Sequence, residues 1–271
     1  MMGAIAGDII GSPYEFSKKV IEDSPLFLFA SRFTDDTVMT VAVAECLLEN
    51  KAYTMPFKWY GRRFPKAGYG GNFARWIVSD DMEPYGSFGN GSAMRVSPVA
   101  WAFETLGEVM EEAKQTAIVT HDHSEGIKGA VATAGAIFLA RTTKDKAKIK
   151  EFIADEIGYN MDRTVAEIRP NYRFDVTCQG SVPEAIIAFL EAESCEQSVR
   201  NAISLGGDAD TQACIAGGIA EAFFGLPDEI YLGAWSRLPE SLQSVVRRFE
   251  ERYGLEFPQE TALLIPYREI I

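Results

Sequence analysis

Histidine is almost missing from this 271-residue chain, which has two, His121 and His123. Zinc sites ask for three or four nitrogen or sulfur ligands, and neither a third histidine nor a suitable cysteine lies near this pair, which argues against a zinc centre. The same scarcity serves poorly the His-Asp metal pairs of helical phosphohydrolases. Cys46, Cys178, Cys195 and Cys214 show no CxxC spacing and are expected to be free thiols of a reducing compartment. Positive charge is also short: 26 Lys and Arg face 39 Asp and Glu, a net charge of −13 that repels phosphate backbones and anionic lipid at long range. Nucleic acid is therefore not expected as a general partner, although a modified nucleic acid is not excluded as substrate. No apolar run approaches the roughly 20 residues needed to cross a bilayer. The opening residues Met1 to Asp8 carry no basic stretch, and Asp8 interrupts their apolar run, unlike a signal peptide. Together these absences predict a cytoplasmic protein without a membrane partner. The oligomeric state is not specified by the sequence.

The composition, 47% hydrophobic and 24% charged, is that of a well-cored soluble protein, and one domain over 1–271 is expected. A domain of this size buries about three quarters of the surface of its unfolded chain and needs no metal to stay folded, so any metal it binds is functional. Apolar residues recur with helical period over Thr37 to Leu48, Glu108 to Val119, Ile127 to Ala140, Pro183 to Glu191 and Leu238 to Tyr253. Ser181 is placed to cap a helix whose first turns hold Pro183, and Gly225 follows a helix ending near Phe224. Small residues crowd Gly126 to Ala140 and Ala213 to Ala222, which lets helix backbones approach closely. Strand signals, fixed repeats and low-complexity linkers are nearly absent. The expected fold is all-α, a compact orthogonal bundle of many helices. The glycine-rich stretch 61–91 is the main irregular region and a candidate substrate-facing loop.

Chemistry concentrates at two helix starts. Phe33-Thr34-Asp35-Asp36-Thr37 and Leu205-Gly206-Gly207-Asp208-Ala209-Asp210-Thr211 each set carboxylates and hydroxyls just before an apolar helix. These are hard oxygen donors of the kind Mg²⁺, Mn²⁺ and Ca²⁺ prefer. Either segment alone reads as a helix cap, but a cap needs one oxygen and these supply several. If the two converge, four carboxylates and two hydroxyls meet at the positive ends of two helices, enough for two metal ions. Without cations, so much buried negative charge is prohibitively costly.

Four stretches in this order resemble the ADP-ribosylglycohydrolase family: Gly7-Asp8-Ile9-Ile10-Gly11-Ser12-Pro13-Tyr14-Glu15, Thr34-Asp35-Asp36-Thr37, Gly89-Asn90-Gly91-Ser92-Ala93-Met94-Arg95, and Gly206 to Thr211, with Thr120-His121 between the last two. The resemblance implies an all-α fold with two Mg²⁺ ions, or Mn²⁺, in a central cleft. It implies Thr34, Asp35, Asp36, Asp208, Asp210 and Thr211 as metal ligands. It also implies hydrolysis of an N- or O-glycosidic bond between ADP-ribose and an acceptor, a protein side chain foremost or a small conjugate. Glu15, Asp36 and Asp208 are the candidate catalytic carboxylates, with Glu15 suited to activating water or holding a sugar hydroxyl. Gly89, Gly91, Ser92, Met94 and His121 are the expected substrate contacts, small residues baring N–H groups to phosphate. Asp8 is expected to orient its own turn through Asx hydrogen bonds. Arg95 is expected to pair with phosphate or with a surplus carboxylate. The aromatic residues Phe57, Trp59, Tyr60, Tyr69, Phe73 and Trp76 read chiefly as core, and Arg62, Arg63 and Lys66 as a solvated face. The alternative to an active hydrolase is a catalytically silent ADP-ribose-binding or structural member of the family.

Overall fold

A computed structural model describes residues 1–15 and 24–258. Fifteen α-helices follow one another among these: α1 (Met2–Gly11), α2 (Asp35–Glu49), α3 (Thr54–Arg63), α4 (Gly71–Val78), α5 (Gly91–Met94), α6 (Val99–Ala102), α7 (Leu106–Ile118), α8 (Ser124–Thr143), α9 (Lys146–Glu151), α10 (Val165–Ile168), α11 (Cys178–Leu190), α12 (Cys195–Leu205), α13 (Ala209–Phe224), α14 (Asp228–Trp235) and α15 (Glu240–Tyr253). The fold is all-α. An isolated bridge between Gly89 and Thr177 is the only β pairing among the described residues. No described helix is long and apolar enough to cross a membrane.

The arrangement of α1 against α13 governs the rest. Gly3, Gly7 and Gly11 recur every four residues and so share one helix face. Gly3 faces Gly217, Gly7 faces Ala213 and Gly11 faces Asp210, so the two helices run antiparallel. A Cβ on Gly7 would fall 2.0 Å from the Ala213 carbonyl oxygen, which is why this contact admits only glycine. The antiparallel pairing brings the C-terminal end of α1 to the N-terminal end of α13. Both helices are buried along nearly their whole length, α13 with Cys214, Ile215 and Ile219 in the core. Small residues in α8 serve the same purpose, Gly129 meeting Cys178 of α11 and Gly135 meeting Phe152.

The periodic segments all fall on helices, though Val119, Glu191, Leu238 and Pro239 lie just outside them, and Gly225 ends α13 at a positive φ of 84°. The expected cap at Ser181 is corrected: α11 starts at Cys178 and Thr177 is its cap, its side chain accepting from the Gly180 N–H. Ser181 lies inside the helix and donates to the Thr177 carbonyl. Two residues capable of capping stand four apart, and the earlier one wins because the turn it adds brings Cys178 into the core. The stretch 61–91 is only partly irregular, since α4 forms within it and buries Phe73, Trp76 and Ile77. The four cysteines are buried free thiols.

Candidate functional site

The clustered motifs meet at the floor of a cleft of about 590 Å³, lined among others by Glu15, Thr34, Asp35, Asp36, Asp208, Asp210 and Thr211. This volume suits a small-molecule ligand. Asp35 and Asp36 open α2, Asp208 and Asp210 flank the start of α13, and Glu15 follows the end of α1. Carboxylate oxygens of Glu15, Asp208 and Asp210 all lie within 4.8 Å of one another. Thr211 Oγ1 donates to Asp36 Oδ1 at 3.4 Å, bridging two motifs 175 residues apart. Gly206 and Gly207, with φ of 80° and 79°, make the turn that aims Asp208 into the cleft.

The capping reading and the site reading coexist at α2 and part at α13. Thr34 Oγ1 accepts from the Asp36 N–H and so caps α2. Asp208 occupies the N-cap position of α13 yet makes no capping bond with its side chain, which leaves the carboxylate for the cleft. Its Oδ2 accepts from Asn90 Nδ2 at 2.7 Å. Asn90 was not among the residues singled out from sequence. It donates also to Ser181 Oγ, tying the Gly89–Met94 loop to α11 and to the acidic floor at once.

Asp8 corrects its expected role. It lies within α1, makes no turn of its own, and accepts four hydrogen bonds from the start of α2. Thr34 N–H and Oγ1 donate to it at 2.9 and 2.6 Å, Thr37 N–H at 3.1 Å, and Thr37 Oγ1 at short range. Because Thr34 gives its proton to Asp8, its oxygen faces any other partner as an acceptor. Asp8 is thus the clamp that fixes Thr34, Asp35 and Asp36.

So many carboxyls in one place strain their charged forms. Burial, then Asp8, pushes Asp35 up to about 8. Burial, with Asp8 and Asp210 beside it, holds Asp36 well above the ordinary range, and burial with Asp208 does the same to Asp210. Burial also raises Glu15, helped by Asp208, and raises Asp208 and Asp8. Asp36 Oδ2 is buried and has no hydrogen-bond partner among the described residues. An orphaned carboxylate oxygen among oxygen-only donors fits a hard divalent cation, whose charge would stabilise the ionised forms that the protein alone disfavours.

Gly89, Gly91, Met94 and His121 line the same cleft. Ser92 is fully buried and its hydroxyl donates to the Gly126 carbonyl at 2.6 Å, so it fastens the loop to α8. Arg95, which also lines the cleft, pairs with no carboxylate among the described residues. Its buried guanidinium lies over Phe57, 4.5 Å from the ring centroid, and donates to Thr116 O and Thr120 Oγ1. His123 caps α8, its Nδ1 accepting from the Glu125 N–H. Of the aromatic set, Phe57, Tyr60, Phe73 and Trp76 are core, while Trp59 is exposed.

A model of the ADP-ribosylglycohydrolase family matches residues 1–257. The ADP-ribosylhydrolase ARH3 of Mus musculus is 27% identical, over 93% of this chain and 87% of its own length. An ADP-ribosylarginine hydrolase of Pseudomonas putida is 24% identical, over 88% of this chain and 74% of its own. A solved structure described as an ADP-ribosylglycohydrolase-related protein complex shares the fold with a TM-score of 0.67 and 20% identity, covering 94% of this chain and 96% of that one. With nearly the whole chain matched and the acidic motifs gathered in one cleft, the chain belongs to the ADP-ribosylglycohydrolase family.

Proposed function

We propose that this protein is a metal-dependent hydrolase that cleaves the glycosidic bond between ADP-ribose and a modified acceptor, most often a protein side chain, and so reverses ADP-ribosylation. The observation that carries this reading is the meeting of Glu15, Asp208 and Asp210 within 4.8 Å beside the unpartnered Asp36 Oδ2. Relatives named as ADP-ribosylhydrolases support the substrate class. Thr34, Asp35, Asp36, Asp208, Asp210 and Thr211 would hold two Mg²⁺ or Mn²⁺ ions. When bound, such ions supply Lewis-acid polarisation and alignment of sugar hydroxyls.

The chain's own groups have separable tasks. Gly89, Gly91 and Met94 shape the wall against which the nucleotide lies, and His121 reaches it across the two glycines. Ser92 holds that wall in place from behind. Glu15 is partly exposed at the cleft, and burial has raised its affinity for a proton, which suits it to accept one from the water that attacks the anomeric carbon. Asp208, held by Asn90, and Asp36, held by Thr211, keep their carboxylates aimed at the reacting sugar. Rigid placement of this kind lowers the barrier without new contacts at the moment of reaction.

The test is release of free ADP-ribose from arginine- and serine-modified proteins with Mg²⁺, with EDTA, and with Asp208→Asn. Metal-dependent release that the variant lacks is expected, and the substrate that responds names the linkage. ADP-ribose binding without release from any acceptor would replace this reading with that of a silent binding protein.

A further inference from the structure

Behind the nucleotide wall lies a buried chain of polar groups that ends on His121 and whose effect on that ring the hydrolase reading leaves open. Arg95, Thr120 and His121 are all nearly inaccessible, 1%, 0% and 5% exposed. Arg95 Nη2 donates to Thr120 Oγ1 at 3.0 Å, and Thr120 Oγ1 lies 2.7 Å from His121 Nδ1. The backbone fixes the geometry, for the His121 N–H donates to Ala117 O at 2.7 Å. At the other end of the ring, Nε2 has no hydrogen-bond partner among the described residues, and it faces the cleft across the glycine loop. A Cβ on Gly91 would lie 3.3 Å from it and one on Gly89 3.7 Å, so both glycines keep that edge clear.

We propose that Arg95 and Thr120 are positioning residues that hold His121 in its neutral Nε2–H tautomer, so that the imidazole presents one fixed donor to an acceptor oxygen of the ligand. The ligand's identity as ADP-ribose rests on the hydrolase reading; the tautomer does not. A threonine hydroxyl has one proton and two lone pairs, and a guanidinium can only donate, so Arg95 occupies one lone pair. Among the described residues, Thr120 Oγ1 makes one other hydrogen bond, the one with His121 Nδ1. Thr120's own proton then has Nδ1 as its acceptor, which makes Nδ1 the bare nitrogen. A proton on Nδ1 would in addition point toward the buried Arg95 charge. Burial, then that same charge, holds His121 well below its ordinary range, so the ring is neutral near neutral pH. A ring locked in one tautomer loses no orientational freedom when ligand arrives, which is where preorganisation adds affinity.

With only two histidines in the chain, imidazole nitrogen NMR on the whole protein is simple to assign, His123→Asn identifying the signal of His121. The expected wild-type spectrum shows an unprotonated Nδ1 and a protonated Nε2 near neutral pH. Thr120→Val removes the hydroxyl at nearly constant volume and should mix the tautomers and weaken ADP-ribose binding by about 5- to 20-fold, the worth of one buried hydrogen bond. Thr120→Ser, which keeps the hydroxyl, should restore both. A wild-type Nδ1–H tautomer, a protonated ring near neutral pH, or a Thr120→Val spectrum like the wild type would overturn the lock, and the wild-type spectrum alone decides if the valine variant fails to fold. Calorimetry of wild type with ADP-ribose tests the underlying reading separately: absence of binding refutes the hydrolase, while the tautomer still stands or falls on the spectrum.

Discussion

Replacing Asp210 by Asn should stabilise the protein without metal and destabilise it with metal, a change of sign that no purely structural role for Asp210 produces. In the metal-free protein Asp210 sits within 4.8 Å of both Glu15 and Asp208. At that distance two unit charges repel by about 1 kcal/mol in water-like surroundings and by about 3 kcal/mol at an effective dielectric constant of about 20. Part of this cost is already avoided by protonation, since Asp210 is held well above the ordinary carboxylate range. Removing the charge should therefore raise stability by about 1–3 kcal/mol, which for a chain of this size moves Tm up by about 2–10 °C. Saturating Mg²⁺ reverses the order, because an ion at about 1,000 times its Kd adds about 4.1 kcal/mol to a protein that binds it, and the variant forfeits most of that. Scanning calorimetry of both proteins in EDTA and in Mg²⁺ gives the four numbers needed. The reasoning is refuted if metal-free Asp210→Asn melts below metal-free wild type, or if neither Mg²⁺ nor Mn²⁺ moves the wild-type transition.

The same crowding sets a pH dependence. The folded carboxyls bind protons more tightly than the unfolded ones, so the metal-free protein should lose stability as pH rises from the ordinary carboxylate range through about 8, where Asp35 titrates. Mg²⁺ should flatten that slope, and melting curves across the range with and without the ion check it. Glu15→Gln should lower kcat far more than it weakens ADP-ribose binding, since the amide keeps the shape and loses the basicity; equal losses would mark Glu15 as a binding group. Asp8→Asn keeps one acceptor oxygen where four donors converge on two, so at least one, such as Thr34 Oγ1 at Oδ1, loses its acceptor, at about 1–3 kcal/mol. Mg²⁺ affinity by calorimetry should fall about 10- to 100-fold while circular dichroism stays helical. Gly7→Ala should cost about 3 kcal/mol in urea unfolding, because the added methyl meets the Ala213 carbonyl at 2.0 Å.

Local chemistry was readable in the sequence wherever one segment contained all of it. Helical period located the long helices, and Gly206-Gly207 announced the turn that starts α13. The segments Thr34 to Asp36 and Asp208 to Thr211 were legible as clusters of oxygen donors because acidic and hydroxyl residues at a helix start exceed what capping needs. Ser181 and Thr177 show the limit of such reasoning. Both are capable caps, and only the burial of Cys178, in the turn between them, against the rest of the protein decides the matter.

What the sequence could not show is what the pairing of α1 with α13 creates. Gly3, Gly7 and Gly11 carried a signal in their four-residue spacing, but a glycine face does not name the helix that covers it. Once α13 covers it antiparallel, the ends of α1 and α13 are forced together, and Glu15 reaches Asp208 and Asp210 with no further specification. Asp8 follows from the same contact. An aspartate between helical apolar residues and a glycine reads as a local turn, yet inside a helix pressed against α13 it has no solvent and must find donors elsewhere. The start of α2 supplies four, the unpaired N–H groups of a helix terminus and two threonine hydroxyls. The need to satisfy one buried carboxylate thereby fixes the loop that holds two others. Asn90 repeats the logic at Asp208. The geometry of the acidic floor is thus set by two residues, Asp8 and Asn90, that stand outside the set of oxygen donors read from the motifs, which is why a search for ligand-type residues finds the donors and misses what aims them.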